Sequence, residues 1–432
     1  MSLIPILSGK AVSLVSKLSG RSGSTWPGHI ALSLNPKFVK SMLNPRGRAS
    51  KIKVVLVAGT NGKTTTSKML SEILEANGKK VFSNQEGANL LNGIASSLIS
   101  HANMLGKINY DVAVFETDEN SLPIILENVK PFAVILLNLF RDQLDRYGEV
   151  NIIADKWKKA LEKLSKETLL ISNGDDPMLS YISAKSGLNS FNFGLPKSEP
   201  SKSEMLSDVD FLYCPNCSTK LNFESHTYSH LGKFKCPKCH FTNPLIYSFD
   251  SLSNPLLGEY NRYNINAAAL LLTEGFNIGL ETIELSLKNF SPAFGRQEKI
   301  KFGKKDVFVM LSKNPASFNQ SLQAVLSKEK NPNVLLVLND RIPDGRDVSW
   351  IWDIDTDELA KKAKSITVSG DRCFDMSLRI KYSDGKFEVK ENLSTAIDIA
   401  ISKLKTSQTL YILPTYSAML ETRKILTGRK IL

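Results

Sequence analysis

The chain has 432 residues, of which 42% are hydrophobic and 23% charged, and its formal net charge is +12. This length is enough for two or three domains, and the composition is that of a globular protein rather than a disordered or fibrous one. No apolar run reaches the roughly 18 residues that a membrane-spanning helix needs, and the basic excess predicts either a solvated surface or an anionic partner.

Residues 1–50 are rich in Ser, Gly and Pro, and their short apolar pieces predict a helix and an extended arm rather than an independent domain. Lys10 and Lys17 interrupt the opening stretch, which also lacks the apolar core and cleavage site of a signal peptide. We therefore expect this segment to belong to the mature protein.

Alternating strands and helices begin at Lys51. The β-branched run KIKVVLVAGT ends in a Gly-rich turn, and SKMLSEILEANG predicts an amphipathic helix closed by Gly78. Further predicted strands are KKVFSN, YDVAVFET, FAVILLN and TLLISN, with helical stretches between them. This alternation predicts an α/β fold with a doubly wound, mainly parallel sheet.

A polar linker and two cysteine pairs interrupt the alternation, which resumes near Ile300 with DVFVML, NVLLVLN, SITVSG and TLYILP. We therefore predict three parts. They are an N-terminal arm over 1–50, a central domain over 51–298 with an inserted ribbon at about 205–245, and a smaller C-terminal α/β domain over 299–432.

The segment Gly59-Thr60-Asn61-Gly62-Lys63-Thr64-Thr65 follows a predicted strand and opens a predicted helix, which is the context that a P-loop requires. Backbone N–H groups and the helix N-terminus would surround the phosphates of a nucleotide. Lys63 would place its charge on the β- and γ-phosphates, and the Thr64 hydroxyl would bind Mg²⁺. A chance Gly-rich turn would not explain why strand, loop, Lys-Thr pair and helix all agree.

Two CxxC pairs, Cys214/Cys217 and Cys236/Cys239, are separated by 18 residues. Each pair can place two thiolates on one ion, so the four together predict a structural Zn²⁺ site, with a pair of disulfides as the alternative. Three nearby histidines are expected to be surface residues, with competing ligation as the alternative: His226, His230 and His240.

The order of these blocks resembles the Mur ligases and folylpolyglutamate synthases, which use ATP to activate a carboxylate as an acyl phosphate. The resemblance implies that Glu116, in FETDEN, binds Mg²⁺. It also implies that Lys156, in ADKWKKAL, corresponds to a lysine that is carbamylated in many Mur ligases and helps to hold a second metal ion. Gln143 stands where many of them have a metal-binding His, and the alternative for Lys156 is an ordinary lysine on a helix surface.

The resemblance extends over about residues 55–300. GEYNRYNINAAA resembles the adenine-contacting segment of the family, which implies that Asn261 or Asn264 contacts adenine. FGRQEKI resembles another family block and implies that Arg296 lies near the phosphates.

The short N-terminus, the four-cysteine insertion and several C-terminal segments narrow the resemblance to one branch of the Mur ligases. These segments include KNPASFNQSL and NDRIPDGRDVSWIWD. In this branch the ligase works with a separate, GatD-like glutaminase subunit. The resemblance implies a cytoplasmic enzyme at the inner face of the membrane, which converts the α-carboxylate of D-glutamate in the lipid II stem peptide to D-isoglutamine.

The residues themselves also indicate that this chain does not release ammonia from glutamine on its own. A glutaminase of the Cys-His type needs a nucleophilic cysteine and a histidine base. Cys373, the fifth cysteine, is in no recognisable nucleophile context, and no histidine follows His240. We therefore expect either a glutaminase partner or the use of free ammonia.

In this branch an aspartate of the ligase is thought to complete the partner's Cys-His pair. The resemblance implies Asp353 first and Asp347 next, within DGRDVSWIWD. Trp350 and Trp352 would share one face of an extended segment and anchor the interface. The alternative is that both are core aromatics and the aspartates belong to turns or caps.

Other functions remain open from the sequence. A folylpolyglutamate synthase-like enzyme would share the P-loop, but the cysteine insertion and the C-terminal segments argue against it. A scaffold that only holds ATP would not need Glu116 and Lys156. A zinc-ribbon protein that binds nucleic acid would explain the charge and the cysteines but not the ligase blocks, and no RRM, KH or helix-turn-helix signature is present, so we expect no nucleic acid partner.

Overall fold

The computed structural model describes residues 3–18, 25–44, 52–84, 87–142, 149–196, 210–292, 295–405 and 408–428. Three helices open the described chain: α1 Leu3–Leu18, α2 Trp26–Leu34 and α3 Phe38–Leu43. The expectation of an extended arm after the first helix is therefore wrong. Pro27 in the first turn of α2 presets a helical φ, and burial of Ala31 and Phe38 holds the two short helices against the body.

A seven-stranded parallel sheet forms the centre of the larger part of the molecule. Its order is β2-β3-β1-β4-β5-β6-β9. The strands are β1 Lys53–Ala58, β2 Val81–Ser83, β3 Val112–Thr117, β4 Ala133–Leu136, β5 Leu169–Asn173, β6 Asn189–Phe193 and β9 Ile246–Tyr247. The helices around it are α4 Lys63–Ala76, α5 Leu91–His101, α6 Leu122–Asn128, α7 Val150–Leu161, α8 Pro177–Ser186, α9 Tyr260–Phe276 and α10 Leu280–Lys288.

Strand β1 shows why this sheet is covered on both faces. Val55 and Val57 belong to the core that contains α4 and α9, whereas Val54 and Leu56 belong to the core that contains α5 and the N-terminal helices. Side chains alternate along a strand, so a run that is apolar at every position must be buried on both sides.

Between β6 and β9 the chain forms an antiparallel hairpin of β7 Asn222–Tyr228 and β8 Leu231–Lys235, which we call the ribbon hairpin. It is followed, after α10, by a second sheet with the order β10-β11-β15-β12-β13-β14. Its β10–β11 pair is antiparallel and its other pairs are parallel.

The strands of the second sheet are β10 Arg296–Phe302, β11 Lys305–Met310, β12 Asn333–Val337, β13 Ser365–Ser369, β14 Glu388–Val389 and β15 Thr409–Pro414. Its helices are α11 Pro315–Lys328, α12 Asp357–Lys362, α13 Cys373–Tyr382, α14 Leu393–Ser402 and α15 Tyr416–Thr427. The predicted α/β class, with an inserted ribbon and a smaller C-terminal sheet, is confirmed. The division at 298/299 stays a prediction, and β10 crosses it. Among the described residues no helix is both long and apolar enough to cross a bilayer.

Candidate active site

The loop of residues 59–65 joins β1 to α4 and turns sharply at Gly62. Gly62 precedes the first residue of α4 with φ +88°, and a Cβ there would lie 2.1 Å from Asn264 Oδ1. Only glycine combines this backbone angle with such a close approach. The loop that was predicted to hold phosphates is thus packed against one of the asparagines that was predicted to contact adenine.

Lys63 is buried at the start of α4. Its Nζ lies 2.5 Å from Gly59 O, 3.3 Å from Thr60 O and 3.4 Å from Glu119 Oε2. Burial raises the pKa of Glu119, but Lys63 and Lys313 outweigh this and lower it below its usual value. Glu119 is therefore an ionised partner of the P-loop lysine. Its position three residues after Glu116 gave no signal of this pairing.

Thr64 and Glu116, the two residues predicted to bind Mg²⁺, lie together. The Thr64 hydroxyl donates to Glu116 Oε2 over 2.9 Å. Asn84 fixes the backbone of Glu116, because it donates to the Glu116 carbonyl and accepts from the Glu116 N–H. A hydroxyl and a carboxylate are the hard oxygen donors that suit Mg²⁺.

A second buried ion pair joins the two sheets. Lys313, which follows β11, pairs with Asp142, which lies beyond β4. Burial raises the pKa of Asp142, whereas in Lys313 the attraction of Asp142 and Glu119 outweighs burial and raises the pKa. Buried Lys63 and Glu119 and the largely enclosed pair of Lys313 and Asp142 therefore compensate one another beside the P-loop.

A cleft that encloses about 660 Å³, part of it open to solvent, lies beside the P-loop. At one side of it Asn261 donates to Leu257 O over 2.7 Å, and Asn264 donates to Asn261 Oδ1 over 3.1 Å. The residues that line it, from the P-loop, the ribbon hairpin, α9, β10, β11 and α11, include Asn61, Gly62, Thr65, Asn138, Tyr228, Tyr260, Asn261, Asn264, Arg296, Gln297, Ser317, Gln320 and Ser321. The predicted phosphate and adenine residues thus share one cleft.

Tyr228, which lines this cleft, and Asn314, which bonds to the P-loop, are two residues that the sequence did not reveal. Tyr228 is the last residue of β7 and lines the cleft although it belongs to the ribbon hairpin. Asn314 caps α11 in a capping box with Ser317, and its Nδ2 also donates to Asn61 Oδ1 over 3.2 Å. The pattern Asn-Pro-x-Ser signals a helix start, but nothing in the sequence near Asn314 indicates its partner in the P-loop.

Lys156 lies on α7 with an exposed side chain, and its Nζ is 3.4 Å from Asn120 Oδ1. This places it next to the turn that carries Glu119. Its role in holding a second metal ion stays a prediction. Gln143, the departure from the family pattern, lies outside the described residues.

A second cleft, of about 530 Å³, lies between the two sheets and contains the predicted triad-completing aspartates. Asp353 is partly exposed there, and its Oδ2 lies 3.4 Å from Arg141 Nη1. Asp353 therefore faces the central domain across this cleft. The second cleft is lined by Arg141, Asp142, Lys313, Asn314, Pro315, Asp344, Asp347, Ser349, Trp350 and Asp353.

Two further aspartates of this cleft, both in the C-terminal segment, differ in environment. Asp347 is exposed, and hydrogen bonds from Ser349, whose N–H donates over 2.8 Å, lower its pKa. Asp344 is buried and accepts from the Ser417 N–H, and burial raises its pKa. Asp347 thus has the hydrogen bonding of a turn residue, which was one of the alternatives considered for it.

The expectation that Trp350 and Trp352 share a face of an extended segment is wrong, because Ser349–Asp353 is a 3-10 helix. Trp350 is half-buried and packs near Phe318, with ring centroids 6.1 Å apart. Trp352 is 46% exposed and meets Tyr382 edge to face. In a turn of three residues the two side chains point in different directions.

The four cysteines form one cluster, with all sulfurs within 4.8 Å of one another. Cys214 Sγ lies 3.5 Å from Cys239 Sγ, and Cys217 Sγ lies 3.5 Å from Cys236 Sγ. A Zn–S bond length of ~2.3 Å requires sulfurs about 3.8 Å apart in a tetrahedron, so the cluster could hold a metal ion of this kind. All four cysteines are free thiols in the structure, which contradicts the disulfide alternative.

The histidines near the ribbon hairpin do not join this cluster. His240 is exposed, as expected, and His226 is half-buried. For His230 the expectation of a surface position is wrong: it is fully buried, with Nε2 3.4 Å from Asp176 Oδ2. Its side chain is enclosed because this end of the hairpin packs into the central domain, where Phe140 and Phe211 contact its ring.

Comparisons with known proteins agree with this arrangement. Residues 57–272 match the family model of the Mur ligase middle domain, and residues 311–419 match that of the MurT ligase C-terminal domain. Lipid II isoglutaminyl synthase (glutamine-hydrolyzing) subunit MurT of Staphylococcus aureus strain COL is 31% identical over 386 residues, which cover 85% of each chain. This chain belongs to the MurT family.

A further MurT relative, from Streptococcus pneumoniae strain ATCC BAA-255 / R6, is 29% identical over 448 residues, covering 99% of this chain and 97% of the relative. The matched family domains make this MurT-family protein an ATP-dependent ligase of the Mur type.

Solved structures show the fold of the MurT-family chain to be that of the Mur ligases. A pseudomurein peptide ligase type C from Methanothermus fervidus has a TM-score of 0.66 at 22% identity, covering 88% of this chain and 79% of its own. MurF from Thermotoga maritima, in complex with ADP, has a TM-score of 0.63 at 15% identity, with coverages of 92% and 83%. Folylpolyglutamate synthase from Mycobacterium tuberculosis, also in complex with ADP, has a TM-score of 0.62 at 14% identity, and the match covers 92% of this chain and 93% of the synthase chain.

Proposed function

We propose that this protein transfers the γ-phosphoryl group of ATP to the free α-carboxylate of D-glutamate in the stem peptide of lipid II. Ammonia then attacks the acyl phosphate, and D-isoglutamine, ADP and phosphate are released. The name of the relatives, lipid II isoglutaminyl synthase, supports this substrate and product. The observation that carries the proposal is the bond between Thr64 and Glu116 next to Lys63, on a loop whose Asn61, Gly62 and Thr65 line the same cleft as Asn261 and Asn264.

The chemistry requires activation because a carboxylate is a poor electrophile. Phosphorylation of its oxygen creates a leaving group, and attack by the nitrogen lone pair of ammonia on the carbonyl carbon expels phosphate. Lys63 would stabilise the charge on the transferring phosphoryl group. Held by Thr64 and Glu116, a Mg²⁺ ion would supply further positive charge there.

We also propose that ammonia comes from glutamine through a separate, GatD-like glutaminase subunit. The relatives are named as subunits of a glutamine-hydrolyzing enzyme. Cys373 is buried, and burial raises the pKa of its thiol, so it is a poor nucleophile. No histidine follows His240, so the C-terminal segment that contains Cys373 carries no histidine base of its own.

In this proposal Asp353, or failing that Asp347, completes the Cys-His pair of the glutaminase. Both residues line the second cleft, and Asp353 is partly exposed there. The four-cysteine cluster would hold a structural Zn²⁺, and the enzyme would work at the inner face of the cytoplasmic membrane, where a lipid-linked substrate is found.

The test is mass analysis of lipid II after incubation with the purified chain, ATP, Mg²⁺ and ammonium. We expect the mass change of one carboxyl-to-amide exchange, dependent on ATP. Adding glutamate in place of ammonium is the discriminating control: addition of a glutamyl residue would place the enzyme with the folylpolyglutamate synthases. No change in lipid II with ammonium, either alone or with a glutaminase partner, would refute the proposal.

A further inference from the structure

The first 50 residues contain no Asp or Glu, whereas they contain four lysines and three arginines. These are Lys10, Lys17, Arg21, Lys37, Lys40, Arg46 and Arg48. The formal net charge of +12 thus divides into +7 for residues 1–50 and 12 − 7 = +5 for the remaining 382 residues. More than half of the basic excess is concentrated in less than an eighth of the chain.

The first helix in this basic segment is apolar on two opposite sides. On the inner side Ile6 is fully buried, and Gly9 lies so close to α5 that a Cβ would be 2.7 Å from Ile99 Cδ1. On the outer side large apolar residues are exposed to 44–71%: Leu3, Ile4, Leu7, Leu14 and Val15. At the helical rotation of ~100° per residue, all five fall within an arc of about 120°.

Neighbouring segments extend this exposed apolar surface. Trp26, at the start of α2, is 61% exposed, and α2 packs on α1. The turn after α5 exposes Met104 at 62% and Leu105 at 71%. This turn lies beside α1, because a Cβ on Gly106 would be 2.9 Å from Ile6 Cδ1. We call the five outer residues of α1, together with Trp26, Met104 and Leu105, the N-terminal face.

We propose that the N-terminal face docks on an anionic lipid surface. The outer side of α1 would enter the boundary between headgroups and acyl chains, and basic residues of the same segment, beginning with Lys10 on α1, would contact lipid phosphates. Apolar side chains with Trp on a short helix, flanked by Lys and Arg without acidic residues, have the composition of interfacial helices. At 16 residues α1 is about 24 Å long, which suits lying in the interface rather than crossing it.

Charge also decides between a lipid surface and a second copy of this chain. In a symmetric dimer the same face meets itself, so two copies of a segment with a net charge of +7 and no acidic residue would be brought together. An anionic surface instead neutralises them. The inference rests on the proposed function, in which the substrate is lipid-linked, but its test needs no turnover.

The experiment is co-sedimentation of the full chain with vesicles of phosphatidylcholine that contain roughly one quarter phosphatidylglycerol, against pure phosphatidylcholine. We expect binding to the anionic vesicles, and this binding should weaken as the salt concentration rises. Each lysine replaced by Gln, beginning with Lys10, should weaken it by about fivefold. Leu14→Glu should weaken binding at least about tenfold. The matched control is Leu285→Glu on α10, where the same change is made at 65% exposure against 61% for Leu14.

Nucleotide binding measured on the same samples checks that Leu14→Glu is folded, and Ile4→Glu provides a second variant at 71% exposure. Failure of the wild type to bind anionic vesicles would overturn the inference. Equal losses in Leu14→Glu and Leu285→Glu would also overturn it, because they would reduce the effect to net charge. A dimer in solution that Leu14→Glu dissociates would assign the face to self-association instead. Amidation of lipid II in detergent remains a separate measure of the proposed function.

Discussion

The charged residues around Lys63 combine the lysine predicted to bind phosphate with its counter-charge. Lys63 lies against two P-loop carbonyls and Glu119, and Glu119 is also attracted to Lys313, which pairs with Asp142. Lys63 and Glu119 are buried, and Lys313 and Asp142 are largely enclosed, so removal of one leaves an uncompensated charge in a medium of low polarity. We therefore expect function and stability to depend on the same few residues here.

Replacement of Lys63 tests the catalytic part. Lys63→Ala removes charge stabilisation of the transferring phosphoryl group, and we expect ATP-dependent amidation to fall by ~10²–10³ or more. The control is Lys68→Ala in the next turn of α4, where the lysine forms a partly exposed ion pair with Glu72. Steady-state rates of ADP release should be close to wild type for Lys68→Ala. A Lys63→Ala enzyme with wild-type rates would mean that the loop does not act on the transferred phosphate.

Replacement of Glu119 tests the stabilising part. Its folded-state pKa is lowered, so its contribution to stability is present above the unfolded-state pKa and is lost as the pH falls through the folded-state value. Glu119→Gln should lower the free energy of unfolding by about 3 kcal/mol at neutral pH, and by less below about pH 4. Urea denaturation at both pH values measures this. Glu72→Gln, at a surface ion pair, should change the free energy of unfolding by under about 0.5 kcal/mol. Equal losses of stability in the two variants would contradict a stabilising role for Glu119.

Sequence motifs predicted the residues whose chemistry is local. Lys63 and Thr64 follow from the P-loop pattern, and their neighbours along the chain fix their positions. Glu119 and Lys313 could not be found in this way, because their partners are separated from them by 56 and 171 residues. A pair of charges that forms only after two sheets have packed leaves no spacing in the sequence.

At the scale of elements, the ribbon hairpin connects two environments. One end carries the knuckles, in which Ser218 and His240 adopt φ of +57° and +61° after the second cysteine of each pair. The other end is buried in the central domain, where Tyr228 contacts Phe140 with ring centroids 5.7 Å apart. Phe140 in turn donates its N–H to the Thr60 hydroxyl of the P-loop over 3.0 Å. The hairpin is thus part of the wall of the cleft beside the P-loop, where we propose that the nucleotide binds.

Loss of the metal should therefore also weaken nucleotide binding. Wild-type protein should contain about one zinc per chain, and Cys236→Ser should lose it. Since Tyr228 lines the cleft, Cys236→Ser should also weaken ADP binding several-fold, as an aromatic contact is worth about 0.5–1.5 kcal/mol. Metal analysis and calorimetry measure the two effects. Cys373→Ser, at a buried cysteine outside the cluster, should keep the metal, and wild-type protein without zinc would refute the assignment.

Regular elements were largely predictable from hydrophobic patterning, and two irregular ones were not. The parallel strands can be recognised in the sequence as apolar runs, because both faces of the sheet are buried. The helices after Thr25 were mistaken for an extended arm, since their Pro and Gly content suggests loops while packing on α1 and α5 decides otherwise. The 3-10 helix at Ser349–Asp353 was missed because five residues are too few to show a period.

At the scale of the whole molecule, three contacts between the two sheets surround the reaction site. They join Asn61 to Asn314, Asp142 to Lys313 and Arg141 to Asp353. The sequence predicted both α/β units, but the way in which they meet depends on side chains from distant segments. The second cleft forms where the two α/β units pack together. The sequence therefore predicted its aspartates but not the cleft itself.

The second cleft supplies a prediction that separates the two half-reactions. With the glutaminase partner, Asp353→Asn should impair glutamine-driven amidation by up to ~10⁴-fold and ammonium-driven amidation much less, because the carboxylate would orient the partner's imidazole. Asp347→Asn is the second candidate, and Asp371→Asn, at a surface ion pair with Arg341, is the control. Equal loss with both nitrogen sources would place the residue in the ligase site. No loss in either candidate would mean that the partner completes its own triad.

The first turn of α11 has a different face toward each cleft. Asn314 bonds to Asn61 at the P-loop, while Lys313, Asn314 and Pro315 line the second cleft. The start of this helix therefore lies both beside the place where ammonia would be made and beside the place where it would be used. A passage between its side chains would act as a sieve, because ammonia is small enough to pass between side chains, whereas glutamine and lipid-linked peptides are not. Selection by size would then come before any chemical step.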